Sequence, residues 1–227
     1  MAFLLLVEMK AIIPFKKEGA KSRLSAFLTE KEREELAICM LKDVLVALSE
    51  SEIEEVAIIS TCSPFTIVLD VNPELKLTVR EDERELNEVL NEVLSAEKEP
   101  VLIIMADIPL ATPESINELI GHEAEVAIAP GRQGGTNALF LRRPADFAVS
   151  YYGLSYVTHR ETAEMRNLTH ALHDSFFIST DIDEVDDLIE LLIHSSGFSA
   201  EYLRGIGVFL HADKETKARV CVDRIKK

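Results

Sequence analysis

The chain has 227 residues, of which 40 are acidic and 24 are basic, so its net charge is −16 at neutral pH. This length suits one large α/β domain with a sizeable core, and 47% hydrophobic against 28% charged residues is ordinary for a soluble globular protein. The acidic balance argues against nucleic acid as a partner, because a phosphate backbone requires a basic surface. A free nucleotide, which needs only a local cationic pocket, is not excluded.

Neither the cysteines nor the N-terminus indicates a secreted or membrane protein. Cys39, Cys62 and Cys221 are far apart and lack the spacing of a disulfide framework or a zinc site; we expect Cys39 in the core. The apolar run at residues 2–7 is too short to span a bilayer and lacks the basic flank of a signal peptide. We therefore expect a cytoplasmic protein with no membrane partner.

Strand-like and helix-like segments alternate along the chain. In the first part of the chain we predict a strand at Lys10–Phe15, a helix from Thr29 to Ser49 with a Thr29–Glu32 capping box, and strands at Val56–Ser60, Phe65–Leu69 and Leu75–Val79. In the middle we predict a helix at Glu83–Ala96, a strand at Val101–Met105, a helix from Thr112, and strands at Val126–Ala129 and Ala138–Leu141. In the last part we predict a helix at Ser155–Met165, a strand at Leu168–Leu172, helices at Val185–His194 and Glu201–Ile206, and a strand at Arg219–Ile225. This alternation predicts a Rossmann-like, three-layer α/β/α fold with a mostly parallel sheet. No repeat or linker divides the chain, so we predict one domain over residues 1–227, with a core at about 9–195 and a tail at 197–227.

A basic loop follows the first predicted strand. After Pro14, the loop places Lys16, Lys17, Lys21 and Arg23 within eight residues, against the acidic background of the chain. In α/β proteins the end of the first strand commonly receives nucleotide phosphates. A solvated surface loop has the same composition, so both interpretations stand at this point.

Asp107 lies two residues beyond the buried run Val101–Met105. A carboxylate just past the carboxyl end of a central parallel strand lies at the mouth of the sheet, where it can hold Mg²⁺. The alternative is that Asp107 only starts the turn before the helix at Thr112.

Asp181 and Asp183 follow the segment Phe177–Thr180, which we interpret as the end of another strand. Alternate residues of an extended segment point the same way, so both carboxylates can face one cation. Two like charges this close together require a metal or strong donors nearby. The alternative, in which Asp183 caps the next helix, leaves Asp181 unexplained.

The glycine-rich segment Gly131–Asn137 is neither a dinucleotide-binding fingerprint nor a P-loop. Gly134 and Gly135 let the backbone pass close to a ligand, and Thr136 and Asn137 add a hydroxyl and an amide. A simple turn before a strand is the alternative interpretation.

The histidines show no metal-binding spacing, and the chain has no nucleophile elbow. We single out only His159, because it falls in the predicted helix that follows the turn at 153–155. For the other histidines a surface or core position is the simpler interpretation.

Taken in this order, the motifs resemble the 2-phospho-L-lactate guanylyltransferases of coenzyme F-420 biosynthesis, which are nucleotidyltransferases with a glycosyltransferase-A-like fold. The resemblance covers about residues 9–192. It rests on Ile13–Lys16 with Ala20–Leu24, on Asp107–Leu110, on Gly135–Leu139, and on Asp181–Asp183 with Asp187–Leu188.

The resemblance implies a role for each motif. The residues implied in catalysis are Lys16, Lys21, Arg23 and Asp107, and the same four with Pro14 would contact the nucleotide. The implied Mg²⁺ ligands are Asp107, Asp181 and Asp183. The residues implied to seat a phosphorylated hydroxy acid are Thr136, Asn137, Gly153 and Ser155. At the last two positions the chain has Gly-Leu-Ser where the family more often has Gly-Pro-x-Ser.

The implied reaction joins GTP and 2-phospho-L-lactate to give lactyl-2-diphospho-5'-guanosine and pyrophosphate. We expect a homodimer, because two-fold dimers are the commonest soluble assembly, and the tail at 197–227 is a candidate interface. Phosphoenolpyruvate, a sugar phosphate or a molybdopterin-type cofactor are alternative acceptors. Outside this class, a GTP-binding regulator without turnover and a ligand-free structural module are the alternatives, and no residue identifies guanine.

Overall fold

The computed structural model describes residues 9–61, 75–212 and 220–225. Its strands are β1 Lys10–Phe15, β2 Glu55–Ser60, β3 Lys76–Glu81, β4 Val101–Ile104, β5 Val126–Pro130, β6 Thr136–Leu141, β7 His170–Leu172, β8 Val208–His211 and β9 Cys221–Arg224. Its α-helices are α1 Glu30–Ser49, α2 Leu86–Ala96, α3 Pro113–Ile120, α4 Ser155–Met165, α5 Phe176–Ser179, α6 Asp187–His194 and α7 Phe198–Gly205, and 3-10 turns lie at Ser22–Ala26 and Pro144–Asp146.

Seven of the described strands form one sheet in the order β3-β2-β1-β4-β6-β5-β7. Strands β3, β2, β1 and β4 run parallel, and β7 runs parallel to β5. Strand β6 is antiparallel to both β4 and β5, because a short glycine-rich loop joins β5 to β6 as a hairpin. The carboxyl ends of β1, β2 and β4 therefore meet the amino end of β6 at one edge of the sheet.

Helices cover both faces of this sheet, as the sequence predicts. One apolar cluster joins the sheet to α1, α3, α6 and α7, and a second joins its other face to α2 and α4. All four residues of β4 are buried, which explains why the run at 101–104 is continuously apolar instead of alternating. The mixed α/β architecture with a mostly parallel sheet is thus confirmed.

Most predicted elements appear within one to three residues of their expected bounds. Strand β1 and helix α4 have the predicted limits, and Thr29 and Glu32 form the expected capping box at the start of α1. Cys39 is only half-buried on α1. The predicted strand at 65–69 lies outside the described residues.

The predicted strand at Phe177–Thr180 is wrong. Residues Phe176–Ser179 form the short helix α5, because the Ser179 amide donates to the Ser175 carbonyl at 2.8 Å and the Thr180 hydroxyl donates to the Phe176 carbonyl at 2.8 Å. Local backbone bonds of this kind compete with a strand ladder. Asp181 and Asp183 therefore follow a helical turn and not a strand.

The end of the chain folds back on the α1 side of the sheet. Strands β8 and β9 form an antiparallel hairpin, and the Arg224 guanidinium donates to the Glu32 carboxylate with one Nη1–Oε2 distance of 3.0 Å. This hydrogen bond lowers the pKa of Glu32 to about 2. Among the described helices, none is both long enough and apolar enough to cross a bilayer.

Candidate active site

Two adjoining cavities open at the edge of the sheet where β1 and β4 end. The first, which we call the apolar cavity, has a volume of about 380 Å³. Most of its wall is apolar, with Phe15, Ile59, Leu86, Val89 and Met105, and the charged side chains of Lys16, Asp82, Glu83 and Arg84 also line it. The second, which we call the aspartate cavity, has a volume of about 230 Å³ and is lined by Lys21, Asp107 and Asp183 among others. Pro14, Phe15, Lys16 and Met105 line both cavities, so the two adjoin at the end of β1, and we refer to them together as the cleft.

Lys21 connects the basic loop to two of the predicted metal ligands. Its Nζ atom lies 2.7 Å from Asp107 Oδ2 and 2.7 Å from Asp183 Oδ1, and only 8% of its side chain is exposed. Burial lowers the pKa of Lys21, but the two carboxylates outweigh burial and raise the pKa overall. Lys21 is therefore a charged, fixed cation between two carboxylates.

The backbone of Lys21 is also unusual. It has a left-handed conformation with φ 55° and ψ 43°, which costs a residue with a side chain about 1 kcal/mol. Such conformations persist where the surroundings enforce them and are concentrated at functional sites. Here the two ion pairs hold the side chain in place.

Asp181 brings a third carboxylate to the same edge. The Ile182 amide donates to the Asp107 carbonyl at 3.0 Å, which ties the segment at 181–183 to the end of β4. Burial raises the pKa of Asp181, and the nearby charges of Asp107 and Asp183 raise it further. The local carboxylate charge is thus only partly compensated by Lys21.

Asp187 holds the 181–183 segment in place from the first turn of α6. Its Oδ2 accepts from the amides of Asp183 at 2.9 Å and Glu184 at 2.7 Å, while its Oδ1 accepts from Arg132 at 2.9 Å. Arg132 belongs to the glycine-rich loop. This one carboxylate therefore links that loop to the aspartate cavity.

A β-bulge separates Thr136 from Asn137. Ala129 pairs with Ala138, but the next residue of β5, Pro130, pairs with Thr136, so Asn137 is an extra residue in β6. Bulges re-aim side chains and are common beside active sites. Here Asn137 Nδ2 donates to the Ile178 carbonyl at 2.9 Å and lies 3.4 Å from Asp181 Oδ1. Thr136 instead faces helix α4.

Thr136 and Ser155 form a buried hydroxyl pair with His159. Ser155 Oγ lies 3.3 Å from Thr136 Oγ1, which lies 2.9 Å from His159 Nδ1. The His159 side chain is fully buried and its ring packs 4.9 Å from the ring of Tyr151, centroid to centroid. Burial lowers the pKa of His159 to about 4, so the ring is neutral at pH 7.

Two glycines shape the loop above this pair. Gly131 has no room for a side chain, because a Cβ there would lie 2.5 Å from Asn137 Oδ1. Gly134 has a φ of 84°, a backbone conformation that favours glycine, and its carbonyl accepts from the Tyr156 amide at 3.2 Å. The loop is thereby docked on the amino end of α4.

The other predicted site residues lie at the rim. Arg23 is more than half exposed, and its Nη1 atom lies 3.5 Å from Asp183 Oδ2. Lys16 is exposed and faces both cavities. Gly153 is exposed with a φ of 62° and lies in the turn before Ser155. The structure therefore forms two groups of predicted site residues. Lys21 contacts both Asp107 and Asp183, and Thr136 contacts Ser155. The Asn137 amide lies near Asp181.

The three carboxylates have the oxygen atoms that a divalent cation requires, but their side chains are not arranged around one point. Three carboxylates supply the oxygen ligands that Mg²⁺ prefers, and the raised pKa of Asp181 indicates that another positive charge would stabilise the cluster. Within the described ranges, however, three or more metal-ligating side chains are nowhere gathered around one point. The Lys21 ammonium lies between Asp107 and Asp183 instead.

Sequence reasoning missed the roles of Asp187 and Asn91. Asp187 occurs in a quoted motif, yet its two backbone bonds become visible only in three dimensions. Asn91 of α2 bonds both the amide and the carbonyl of Val149, at 2.8 and 3.0 Å, and so anchors the segment that leads to α4. The one local sign of this role is that Asn91 is a polar residue next to the apolar face of α2.

The mostly parallel sheet brings a basic loop, three carboxylates and a buried hydroxyl pair to its strand ends, where α/β proteins typically bind nucleotides. Solved structures share this fold. A protein from Desulfovibrio desulfuricans G20 assigned to the nucleotide-diphospho-sugar transferases has a TM-score of 0.70 at 18% identity, covering 87% of this chain and 94% of its own. A nucleotidyl transferase from Methanothermobacter has a TM-score of 0.60 at 13% identity, covering 87% and 99%. At these identities the likeness concerns the fold alone.

Sequence comparison gives the family. The family model described as "Guanylyl transferase CofC like" matches residues 9–225. A relative in Methanosarcina mazei is 46% identical over 86% of this chain and 91% of its own length, and one in Methanocella arvoryzae is 44% identical over 94% and 92%. Both relatives are named 2-phospho-L-lactate guanylyltransferase. The chain belongs to the CofC-like guanylyl transferase family and is an enzyme of the nucleotidyltransferase class.

Proposed function

We propose that this protein transfers GMP from GTP to the phosphate of 2-phospho-L-lactate, in the biosynthesis of coenzyme F-420. The products are lactyl-2-diphospho-5'-guanosine and pyrophosphate. Family membership and the names of the relatives support the reaction class and the acceptor. The structural observation that carries the proposal is Lys21, held 2.7 Å from both Asp107 and Asp183 in a cleft at the strand ends.

The reaction is a substitution at phosphorus. An oxygen of the acceptor phosphate forms a bond to the α-phosphorus of GTP, and the bond from that phosphorus to the bridging oxygen of pyrophosphate breaks. The acceptor phosphate is already ionised at neutral pH, so its attack requires no general base. The barrier comes from bringing two anions together and from charge on the leaving group, so catalysis consists of positioning and charge neutralisation.

We assign the guanosine to the apolar cavity and the triphosphate to the basic loop. The walls of the apolar cavity suit a base and a ribose, and Pro14 and Lys16 line the passage to the aspartate cavity. There Lys21 and Arg23 supply positive charge to phosphate oxygens, and the planar guanidinium of Arg23 suits a bidentate contact. Arg23 is more than half exposed, and its ion pair with Asp183 places it beside the aspartate cavity, within reach of a bound nucleotide.

Asp107, Asp181 and Asp183 are the side chains that would hold Mg²⁺, which when bound neutralises charge on phosphate oxygens. Lys21 lies between two of these carboxylates and offsets part of their negative charge. Asp187 fixes the backbone of Asp183 so that its carboxylate stays at the cavity. These residues bring the two anionic substrates to one place.

The acceptor acid would occupy the other side of the cleft. Thr136 and Ser155 offer hydroxyl groups, Asn137 an amide near Asp181, and Gly153 a turn at the amino end of α4. The Tyr156 amide at this end of α4 is already bonded to the Gly134 carbonyl, so the hydroxyl groups would supply the hydrogen bonds, and the helix dipole adds a favourable field for an anion. We place the carboxylate or phosphate of the acid here.

We further propose that the chain is a single domain, acts in the cytoplasm and forms a homodimer through residues 197–227. The β8–β9 hairpin in this segment supports the interface, because its strands leave unpaired edges among the described residues. Sedimentation equilibrium of the full chain would give a dimer mass. A monomer at micromolar concentration contradicts this part of the proposal.

The reaction is tested by pyrophosphate release with Mg²⁺ and 2-phospho-L-lactate, comparing GTP, ATP, CTP and UTP. We expect release with GTP alone, lost in Asp107→Asn and retained in Asp146→Asn, a matched change at an exposed carboxylate outside the cleft. Release with phosphoenolpyruvate but not phospholactate would replace the acceptor. Tight GTP binding with no release for either acceptor would indicate a regulator instead of an enzyme.

A further inference from the structure

The orientation of the His159 ring follows from a backbone hydrogen bond. The amide of Ser150 donates to His159 Nε2 at 3.0 Å. A backbone amide can only donate, so Nε2 accepts and carries no hydrogen. A neutral ring must then carry its hydrogen on Nδ1.

The Ser150 amide is itself held on both sides. Val149 is bonded through its amide and its carbonyl to Asn91, and the Tyr151 amide donates to Asn87 Oδ1 at 2.8 Å. Two side chains of α2 thus fix the backbone before and after Ser150. The ring therefore faces a donor whose direction is set by the fold.

With its hydrogen on Nδ1, His159 donates to Thr136 Oγ1 at 2.9 Å. Thr136 and Ser155 together have two hydroxyl hydrogens and share one contact of 3.3 Å. One hydrogen is used in that contact, whichever hydroxyl provides it. The second hydrogen is left to point away from the pair, because the ring already donates to it.

We propose that His159 is a positioning residue for the acceptor acid, because its Nδ1 hydrogen makes the Thr136–Ser155 pair a net hydrogen-bond donor toward an anionic oxygen. This inference rests on the proposed function for the identity of the acid. It assigns the hydroxyl pair to a carboxylate or phosphate oxygen, which only accepts hydrogen bonds. The ring itself does not touch the acid.

Two substitutions separate this role from simple packing. His159→Asn keeps an N–H close to the Nδ1 position, and His159→Gln keeps a polar group close to Nε2 but loses the donor to Thr136. We expect His159→Gln to raise the KM for 2-phospho-L-lactate about tenfold or more, since without the Nδ1 donor the free hydroxyl hydrogen can turn toward the variant side chain and its bond to the charged acid is no longer enforced. His159→Asn is expected to lie closer to the parent enzyme, and the KM for GTP to change less than twofold in both. His170→Gln, at a histidine on β7 outside the site, is the matched control.

A packing role predicts a different pattern. Both variants would then melt at lower temperature and lose kcat to the same extent, with no specific change in the KM for the acid. Equal losses in Asn and Gln, or a matching rise in the KM for GTP, would overturn the proposal. The KM values are compared at a temperature well below the melting point of each variant.

A spectroscopic measurement tests the inference even if phospholactate is not the acceptor. The imidazole ¹⁵N–¹H correlations of the ligand-free full chain at pH 7, assigned with His159→Asn, report which ring nitrogen carries hydrogen. The proposal requires hydrogen on Nδ1 alone. Hydrogen on Nε2 or on both nitrogens would overturn it, whereas absence of turnover with phospholactate together with an Nδ1–H ring would contradict only the acceptor in the proposed function.

Discussion

The two groups of residues that we assign to anionic substrates, the aspartate side and the hydroxyl side, differ in charge and in exposure. On the aspartate side, Lys21, Asp107 and Asp183 are charged, and both carboxylates are about one-third exposed, at 33% and 35%. On the hydroxyl side, Thr136 and Ser155 are neutral and nearly fully buried, at 4% and 2% exposure. The first side depends on the balance of charge, and the second on where hydrogens are placed. Changes of charge and changes of hydrogen bonding should therefore have separable effects.

The largest effect is expected on the charged side. Asp107→Asn replaces a carboxylate that contacts Lys21, and that would bind Mg²⁺, by a neutral amide. We expect kcat/KM to fall by about 10²–10³, as for loss of an electrostatic stabiliser. Steady-state kinetics across a series of Mg²⁺ concentrations measure this. We also expect the concentration of Mg²⁺ at half-maximal rate to rise. A fall in kcat/KM of less than tenfold would show that Asp107 is not a catalytic residue.

The pH dependence of stability tests the neutral side. In the folded protein the pKa of His159 is lowered to about 4 from an ordinary value of 6.5, so the neutral ring is favoured by folding. Its contribution is complete above pH 6.5 and is lost as the pH falls from 6.5 toward 4. Linkage gives a loss of about 2 kcal/mol between pH 7 and pH 5.

Urea unfolding at pH 7 and pH 5 checks this value. Other groups also titrate in this range, so the quantity to compare is the difference between the parent and His159→Asn. The parent should lose about 2 kcal/mol more of its free energy of unfolding than the variant between the two pH values. Equal losses would show that the ring titrates normally in the folded protein.

A smaller and more selective effect is expected at Thr136. Thr136→Val keeps the shape of the side chain and removes the hydroxyl, so the KM for the acid should rise about tenfold while the KM for GTP stays unchanged. Thr136→Ser retains the hydroxyl and serves as the control. If Thr136→Val raises the KM for GTP instead, the acid and the nucleotide have been assigned to the wrong sides of the cleft.

The smallest predicted effect concerns the loop that covers the hydroxyl side. Gly134→Ala places a side chain at φ 84° and should lower the free energy of unfolding by about 1 kcal/mol. Gly135→Ala is the matched control, because a Cβ there meets nothing within 4 Å. Thermal melting of the two variants gives the comparison. Equal melting temperatures would mean that the loop is not held in the described conformation.

The charged side could be predicted from the sequence in large part. The sequence predicts Lys21 in a loop after β1 and Asp107 just beyond β4, and strand ends of a parallel sheet meet at one edge, which agrees with their contact in the structure. Asp183 was placed there for the wrong reason, since a helical turn precedes it and a backbone bond from Ile182 to Asp107 brings it to the edge. Lys21 was predicted as a phosphate ligand, and its position between two carboxylates was not.

For the neutral side, the sequence predicts which residues take part but not how they contact one another. The bulge that turns Asn137 and Thr136 to different faces depends on the register of β5 against β6, which local sequence does not encode. The role of His159 depends on the Ser150 amide nine residues earlier and on two asparagines of α2. These contacts join segments far apart in the chain, so no local pattern indicates them.

The ³¹P NMR spectrum of a reaction mixture shows whether the protein transfers GMP to phospholactate. With the full chain, Mg²⁺, GTP and 2-phospho-L-lactate, the account predicts that the GTP resonances decline while pyrophosphate and one pair of coupled diphosphate doublets appear in equal amounts. Formation of GDP and inorganic phosphate without a new diphosphate would show hydrolysis instead of transfer. That result, or an unchanged spectrum, would contradict the account.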